Sequence, residues 1–166
     1  IRAERPPLGG VAHLAGVLDD ALLPQQDLEH FRTTLRPKAF AAQRLHELTK
    51  DDELDFFILY SSASAVLGSP AQANYACANA FLDGLTAARR AHGLPATAVN
   101  FGPWGRGGMA SSQVVIANLG AQGMMPLEPA AALAALGEVV RHGTGQATVL
   151  KANWQRAAKM FGGVRP

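Results

Sequence analysis

Residues 55–79 have the sequence DFFILYSSASAVLGSPAQANYACAN. The almost continuously apolar run before the two serines is typical of a parallel strand covered on both faces. From residue 74 the apolar side chains recur at helical spacing until Gly93, which predicts an amphipathic helix that ends at this glycine. Ser62 ends the predicted strand thirteen positions before Tyr75, and Asn79 follows Tyr75 by four. This order can place a hydrogen-bond donor, a proton donor and an amide around one carbonyl group.

The segments on either side of this stretch continue the alternation of strand and helix. Further strands are predicted at residues 10–16, 96–101 and 146–151, and further helices at residues 28–48 and 129–141. Pro37 should kink or interrupt the first of these helices. The alternation predicts an α/β fold, a Rossmann-like parallel sheet with flanking helices, in which ligands bind beyond the carboxyl ends of the strands.

Composition limits the function classes. A length of 166 residues with 48% apolar content suits one domain. The net charge is +2 and the 15 Lys and Arg residues are spread along the chain, which argues against nucleic-acid binding. A single cysteine excludes an internal disulfide or a multi-cysteine zinc site, and the five histidines show no metal-ligand spacing, so no metal is expected. Without an apolar run of about 18 residues or a signal peptide, no membrane association is expected and the protein is predicted to be cytoplasmic.

One expected motif is absent from the printed sequence. A dinucleotide-binding sheet should begin with a strand and a G-x-G-x-x-G turn, and nothing before Gly9 supplies them. Ile1 is not an initiator methionine. We therefore interpret residues 1–166 as one portion of a domain in a longer protein. This portion lacks the N-terminal nucleotide-binding βαβ units. Within it, the glycine-rich residues at about 104–125 are predicted to form a mobile flap.

Residues 8–151 resemble the catalytic half of a ketoreductase domain of a modular type I polyketide synthase, in the short-chain dehydrogenase/reductase superfamily. Three matches in order support the resemblance: AGVLDD at residues 15–20, LRPK at residues 35–38, and residues 61–83 followed by NFGPW at residues 100–104. A tyrosine and an asparagine four residues apart would be weak evidence alone. The three matches together cover most of the chain.

The resemblance implies four catalytic residues. Tyr75 matches the family's proton donor and Ser62 its carbonyl-binding serine, whereas Lys38 and Asn79 match a lysine and an asparagine whose places are exchanged relative to most short-chain reductases. In such a reaction, hydride attacks a ketone carbon while the oxygen gains charge and needs a donor and a proton. A nearby ammonium should make the tyrosine a better acid by favouring its anion. Each residue alone also has a structural explanation, as a turn, core or surface residue.

Further residues are implied to contact cofactor or substrate. NADPH is the expected cofactor, and small residues allow it to approach the backbone closely. The expected cofactor-binding residues are Ala15, Gly16, Lys38, Tyr75, Gly102 and Pro103. The candidates for the acyl-thioester channel are Trp104, Met109 and Met124. The methionines are equally consistent with a role in filling the core.

The segment Leu18-Asp19-Asp20 indicates a stereochemical type. By itself it is consistent with a turn before a helix, where Asp is common. Within the resembled family it is the mark of B-type reductases, which form a D (3R) alcohol. A-type members have a Trp eight residues before the tyrosine, and here that position is Leu67. Both observations predict a B-type reductase whose loop and flap select the face of the ketone.

The resemblance implies a substrate and partners, and two alternatives stay open. The substrate would be a β-ketoacyl chain on the phosphopantetheine of an acyl carrier protein. The partners would be other polyketide synthase domains and the missing N-terminal half of the reductase. One alternative is a fatty-acid-synthase or free-standing β-ketoacyl reductase. The other is a non-catalytic structural or interaction fragment that binds no cofactor without that missing half.

Overall fold

The computed structural model describes residues 6–105, 119–121 and 123–160. In chain order its main elements are β1 (Gly10–His13), a 3₁₀ turn (Leu23–Gln25), α1 (Leu28–Leu35), a π-helical segment (Arg36–Phe40), α2 (Ala41–Thr49), β2 (Phe56–Ser62), α3 (Ala63–Leu67), α4 (Ala73–Ala91), β3 (Thr97–Phe101), β4 (Met124–Met125), α5 (Pro129–Arg141), β5 (Gln146–Val149), β6 (Lys151–Ala152) and α6 (Trp154–Met160). Within these described ranges, no helix is long and apolar enough to cross a bilayer.

Four strands form a parallel sheet in the order β1-β2-β3-β5. All four point the same way, so their carboxyl ends, at His13, Ser62, Phe101 and Val149, lie along one edge. The predicted α/β parallel sheet is therefore confirmed. Because ligands of such sheets bind beyond this edge, it is the place to look for a site.

Helices cover both faces of the sheet. On one face Phe57 and Leu59 of β2 pack with Leu82 and Leu85 of α4. On the other face the strands pack against α5 in a cluster that contains Val99, Phe101, Leu127 and Ala132, with Tyr60, Trp104, Leu136, Val139 and Val149 around it. Burial on both sides explains the apolar run that opens β2 and the full burial of β3.

Pro37 changes the helix instead of ending it. Proline has no backbone N–H and its ring crowds the preceding turn, so a regular helix cannot continue through it unchanged. The backbone widens into a π-helical segment, in which the Ala41 N–H reaches back to the Arg36 carbonyl. This widened turn buries Lys38, which has only 3% of its surface exposed. Such π segments occur often at functional sites.

The C-terminal region differs from the sequence prediction. The single strand expected at residues 146–151 is two strands: β5 joins the main sheet, whereas β6 pairs antiparallel with β4. The short helices α3 and α6 were not predicted. Residues 106–118, most of the predicted flap, lie outside the described residues, so the flap stays a prediction.

Candidate active site

Ser62 lies at the carboxyl end of β2, where the strand gives way to α3. It is the N-cap of that helix, and its Oγ accepts a hydrogen bond from the Ser64 N–H at 3.1 Å. The Ser64 hydroxyl donates a second bond to the same oxygen at 2.9 Å. A serine hydroxyl has two acceptor positions and one hydrogen to donate. With both acceptor positions used, Ser62 is oriented to act as a donor.

Tyr75 lies in the first turn of α4 and is only 8% exposed. Burial raises the pKa of its phenol above the ordinary value, and the Asp20 carboxylate raises it further. Hydrogen bonding from the Asn79 and Ser62 side chains acts in the opposite direction. A neighbouring ammonium was expected to lower this pKa. In the chain alone burial outweighs the hydrogen bonds, so the phenol is a protonated donor at neutral pH.

Asn79 lies one turn further along α4 and is fully buried. Its Nδ2 donates to the backbone carbonyl of Tyr75 at 2.8 Å, which fixes the amide beside that residue. Its Oδ1 is buried without a hydrogen-bond partner. A buried acceptor without a partner costs folding free energy. This oxygen can therefore accept a hydrogen bond from a water molecule or a ligand.

Lys38 reaches the same place from the π-helical segment. Its Nζ donates to the Tyr60 carbonyl of β2 at 2.9 Å and lies 5.5 Å from the centre of the Tyr75 ring. Burial lowers the pKa of this ammonium to about 8, while the Asp83 carboxylate acts to raise it. The structure therefore brings together Ser62, Tyr75, Asn79 and Lys38, the four residues that the sequence singled out as catalytic.

His13 supports this arrangement and was not identified from the sequence. It is buried at the end of β1, and its ring Nε2 lies 3.0 Å from the Lys38 carbonyl oxygen. A carbonyl only accepts, so Nε2 carries the hydrogen and donates. Burial lowers the pKa of His13, which favours this neutral form. Its place within a predicted strand, residues 10–16, was the only available signal.

Asp83 and Asn100 form a second supporting group. Asn100 Nδ2 donates to Asp83 Oδ2 at 2.9 Å and to Ser61 Oγ at the same distance. Burial raises the pKa of Asp83, and the hydrogen bonds and the Lys38 charge oppose that change. Asp83 is thus the acidic group whose field reaches Lys38. Sequence spacing did not reveal this pair, because Asp83 lies on α4 and Asn100 on β3, and only their side chains connect them.

The donor set fits a ribose-bearing cofactor. An ammonium has three N–H donors, and the hydrogen bonds of the described residues use one of those on Lys38. Two donors stay available to hydroxyl groups in a buried position. Segment 14–17 is close by, since a methyl group on Gly16 would come within 2.9 Å of Lys38 Cε. Gly16 thus lets the backbone pack against the Lys38 side chain, while Ala15 is exposed beside it.

The strand-end residues Gly102 and Pro103 have structural partners. A methyl group on Gly102 would come within 3.0 Å of Leu150 Cβ, so glycine permits close packing there. The Pro103 carbonyl accepts a hydrogen bond from the Leu127 N–H at 2.7 Å. The contact of these two residues with a cofactor stays a prediction.

The predicted substrate residues fall into two groups. Leu18, Asp19 and Asp20 lie in the segment between β1 and α1, which packs against the start of α4 through a hydrogen bond from Asn74 Nδ2 to the Asp19 carbonyl at 2.7 Å. Leu67 ends α3 and is half-buried. Away from them, Trp104 packs edge-on against Phe101 at 5.2 Å, and Met124 pairs with Ala152. Met109 lies outside the described residues.

Comparison with known sequences gives one consistent result. The family model described as the KR domain matches residues 1–106. Polyketide synthase GfsA of Streptomyces halstedii is 44% identical over 164 residues, which cover 99% of this chain and 2% of that protein. Spectinabilin polyketide synthase system protein NorB of Streptomyces orinoci is 56% identical over 107 residues, 64% of this chain and 5% of that protein. The chain spans a small part of these curated relatives.

Solved structures give the same answer. A-type ketoreductases from a modular polyketide synthase superpose with a TM-score of 0.94 at 42% identity, over 99% of this chain and 35% of that one. The first ketoreductase of the tylosin polyketide synthase gives a TM-score of 0.87 at 40% identity, over 95% of this chain and 35% of that one. The chain spans about a third of each.

Proposed function

The chain belongs to the ketoreductase (KR) domain family of polyketide synthases, within the short-chain dehydrogenase/reductase superfamily, and on that premise we propose that it carries the catalytic residues for reduction of a β-ketoacyl thioester to a β-hydroxyacyl thioester. The observation that carries the proposal is the convergence of Ser62, Tyr75, Asn79 and Lys38 beside the carboxyl end of β2. This is the edge at which ligands of parallel sheets bind.

Ser62 and Tyr75 act on the ketone oxygen. The Ser62 hydroxyl has its acceptor positions filled by Ser64, so its hydrogen, which acts on the Tyr75 phenol in the chain alone, turns to hold that oxygen as negative charge develops. Tyr75, kept protonated by burial, gives its proton to the same oxygen as the carbonyl π bond breaks. The tyrosinate left behind regains a proton from water. Asn79 Oδ1, buried and unpaired, is placed to hold that water.

Lys38 binds the cofactor and compensates the charge on Tyr75. Its two remaining N–H donors would hold ribose hydroxyls of the cofactor, and its ammonium, 5.5 Å from the centre of the Tyr75 ring, stabilises the tyrosinate that forms. When bound, the nicotinamide cofactor supplies the hydride that attacks the β-carbon. We propose NADPH as that cofactor because the family resemblance implies it, with Ala15, Gly16, Gly102 and Pro103 along its path.

Replacing Asp83 with Asn tests the charge state of Lys38. The carboxylate raises the pKa of Lys38, so its removal lowers that pKa below about 8. Lys38 then loses its proton at a lower pH, and the alkaline limb of the kcat/KM profile moves to lower pH. We expect roughly a two- to tenfold loss at about pH 8 and little change at about pH 6. Asp51→Asn, at an exposed carboxylate, is the control. An unmoved alkaline limb in Asp83→Asn would show that Asp83 does not tune Lys38.

The product configuration we propose is D (3R), the B-type outcome. Its support is Leu18-Asp19-Asp20 together with Leu67 in place of the A-type tryptophan. Asp20 acts on the pKa of Tyr75, so this segment lies close to the proton donor and can restrict how a substrate approaches it. The high structural similarity to an A-type protein concerns the fold, and the type depends on these few residues.

We propose that the substrate is carried by an acyl carrier protein and that the chain works beside other polyketide synthase domains. The support is that the curated relatives named above are polyketide synthases, of which this chain matches a small part. The same names favour this function over a fatty-acid or free-standing reductase. The non-catalytic alternative is separated from it by experiment.

A direct assay tests the function. The intact protein that contains this chain is mixed with NADPH and the N-acetylcysteamine thioester of acetoacetate, a minimal β-ketoacyl thioester. We expect loss of the reduced cofactor's absorbance and an equal amount of 3-hydroxybutanoyl thioester, mainly of the 3R form, with NADH giving a lower rate. Binding of NADPH without turnover, or no binding, would favour a non-catalytic role. A mainly 3S product would overturn the B-type assignment alone.

A further inference from the structure

Segment 17–22, which contains Leu18, Asp19 and Asp20, is joined to the turn before α4 by its backbone. The Ala21 N–H donates to the Ala71 carbonyl at 3.0 Å. The Asp20 carboxylate also accepts from Gln72 Nε2 at 3.0 and 3.2 Å, but that bond is exposed to solvent and therefore contributes little. A segment held only by such contacts would move relative to Tyr75. The side-chain amides of Asn74, which is buried, and Gln26, which is half-buried, further constrain segment 17–22.

Asn74 is the first of these amides and is fully buried beside Tyr75 in the sequence. Its Nδ2 donates to the Asp19 carbonyl at 2.7 Å and to the His30 carbonyl at 3.1 Å. Its Oδ1 accepts from the Tyr75 N–H at 2.8 Å and from Gln26 Nε2 at 3.2 Å. All four hydrogen-bonding positions of the side chain are used. One amide thus links segment 17–22, α1 and the catalytic end of α4.

Gln26 is the second amide and is half-buried before α1. Its Nε2 lies 2.9 Å from the Ala21 carbonyl, 3.3 Å from the Ala71 carbonyl and 3.2 Å from Asn74 Oδ1. Its Oε1 accepts from the Asn74 N–H at 3.2 Å. Gln26 therefore connects both sides of the junction between segment 17–22 and α4, and it contacts Asn74 at the side-chain Oδ1 and at the backbone N–H.

The backbone at this junction is strained. Ala71 has φ of 63°, the left-handed region, and it is the one non-glycine residue with positive φ among the described residues. For an alanine this conformation costs about 1–2 kcal/mol. Such strain persists only where the surroundings determine it, and it tends to occur at functional sites. The Ala71 carbonyl is the atom that both Ala21 and Gln26 contact.

The constrained segment presents apolar side chains next to the catalytic residues. Val17 is 39% exposed and Leu18 38% exposed. They lie between Gly16, which packs against Lys38, and Asp20, which acts on Tyr75. Exposed apolar side chains in this position are available to contact a substrate bound at the phenol. A shift of the segment would change where such contacts lie relative to Tyr75.

We infer that Gln26 and Asn74 are positioning residues for stereochemical selection, which fix segment 17–22 relative to the Tyr75 phenol without touching the substrate. The inference rests on the proposed ketoreduction, but it does not depend on which enantiomer the protein makes. Loss of the Gln26 amide would break no hydrogen bond to the four catalytic residues and would let segment 17–22 shift. The minor enantiomer would then increase and the KM for the thioester would rise, with a smaller effect on kcat.

Gln26→Met tests the inference, because methionine keeps the length of the side chain and removes its strong hydrogen bonds. Gln25→Met is the matched control, since Gln25 is the exposed neighbour and only its backbone is hydrogen-bonded in the described residues. The intact protein reduces the N-acetylcysteamine thioester of acetoacetate, and chiral chromatography gives the enantiomer ratio. We expect the minor-to-major ratio to rise about five- to thirtyfold in Gln26→Met, from the loss of one or two hydrogen bonds, and to stay unchanged in Gln25→Met.

The outcomes separate this inference from the proposed function. An unchanged enantiomer ratio and KM in folded, active Gln26→Met would overturn the inference. If that variant does not fold, Gln26→Glu replaces it, since it keeps the acceptor for the Asn74 N–H and loses the donors. The same expectation applies, with a smaller rise in the ratio. No hydroxyacyl product from the unaltered protein would instead overturn the proposed function itself.

Discussion

Tyr75→Phe is expected to lower kcat by roughly 10²- to 10⁴-fold, the usual contribution of a positioned general acid. The change removes one oxygen atom from a side chain that is 8% exposed, so the packing of the ring is kept. Without the hydroxyl no proton reaches the ketone oxygen from the protein. The measurement is the single-turnover rate of reduction of the β-ketoacyl thioester, in the intact protein saturated with NADPH.

Tyr60→Phe is the matched control for this prediction. Tyr60 is the only other tyrosine in the chain, and its ring packs against Phe101 at 5.3 Å in the cluster under α5. Its contact with Lys38 is through the backbone carbonyl, which the substitution retains. We expect Tyr60→Phe to keep nearly full activity and to bind NADPH like the unaltered protein, while Tyr75→Phe, which loses one expected cofactor contact, is compared with it at saturating NADPH. A Tyr75→Phe rate within tenfold of normal would remove Tyr75 from its proposed role.

The fold could be predicted mainly where a local pattern determines it. α5 was predicted with its observed bounds, because its first residue is Pro129 and its apolar residues follow a helical period. Gly93 ends the turn after α4 with a φ of 74°, as a helix-ending glycine should. The pair β4 and β6 could not be predicted, since strands of two residues have no periodicity to recognise.

The site was predicted in part, for a different reason. The spacing of Ser62, Tyr75 and Asn79 along one strand and one helix is visible in the sequence. Lys38 entered only through the family resemblance, because its place depends on the widened turn around Pro37 and on burial against β2. Lys38 contacts residues that are distant from it in the sequence, and sequence periodicity does not predict such contacts.

The electrostatics of the site were beyond sequence reasoning. An ammonium near a phenol was expected to lower its pKa, and the ammonium is indeed near. Burial of both groups has the larger effect, since it raises the pKa of Tyr75 and lowers that of Lys38 to about 8. Both shifts favour the uncharged forms. The net effect of burial and of neighbouring charges on a pKa can be judged only from atomic positions. Only these positions show that the Asp83 carboxylate raises the pKa of Lys38.

Ser62→Ala is expected to lower kcat by about 10²- to 10³-fold, the cost of removing one donor to a developing oxyanion. In the present geometry Ser62 accepts from the Ser64 N–H and hydroxyl, so its single hydrogen, which acts on the Tyr75 phenol in the chain alone, is the one that can turn to the substrate. The substitution also removes the N-cap of α3, which costs about 1 kcal/mol of stability. Urea unfolding therefore has to accompany the rate measurement, so that the two effects are separated.

Ser64→Ala is the informative companion to Ser62→Ala. It removes the Ser64 hydroxyl that contacts Ser62 at 2.9 Å but keeps the backbone N–H bond at 3.1 Å and the donor itself. If Ser62 works by donating to the ketone oxygen, Ser64→Ala should lose less than about tenfold, because only the orientation of the donor is weakened. If Ser62 matters only as a helix cap, Ser62→Ala should lose stability but keep its rate. A rate loss in Ser62→Ala far beyond that of Ser64→Ala would favour direct contact between the Ser62 hydroxyl and the substrate oxygen.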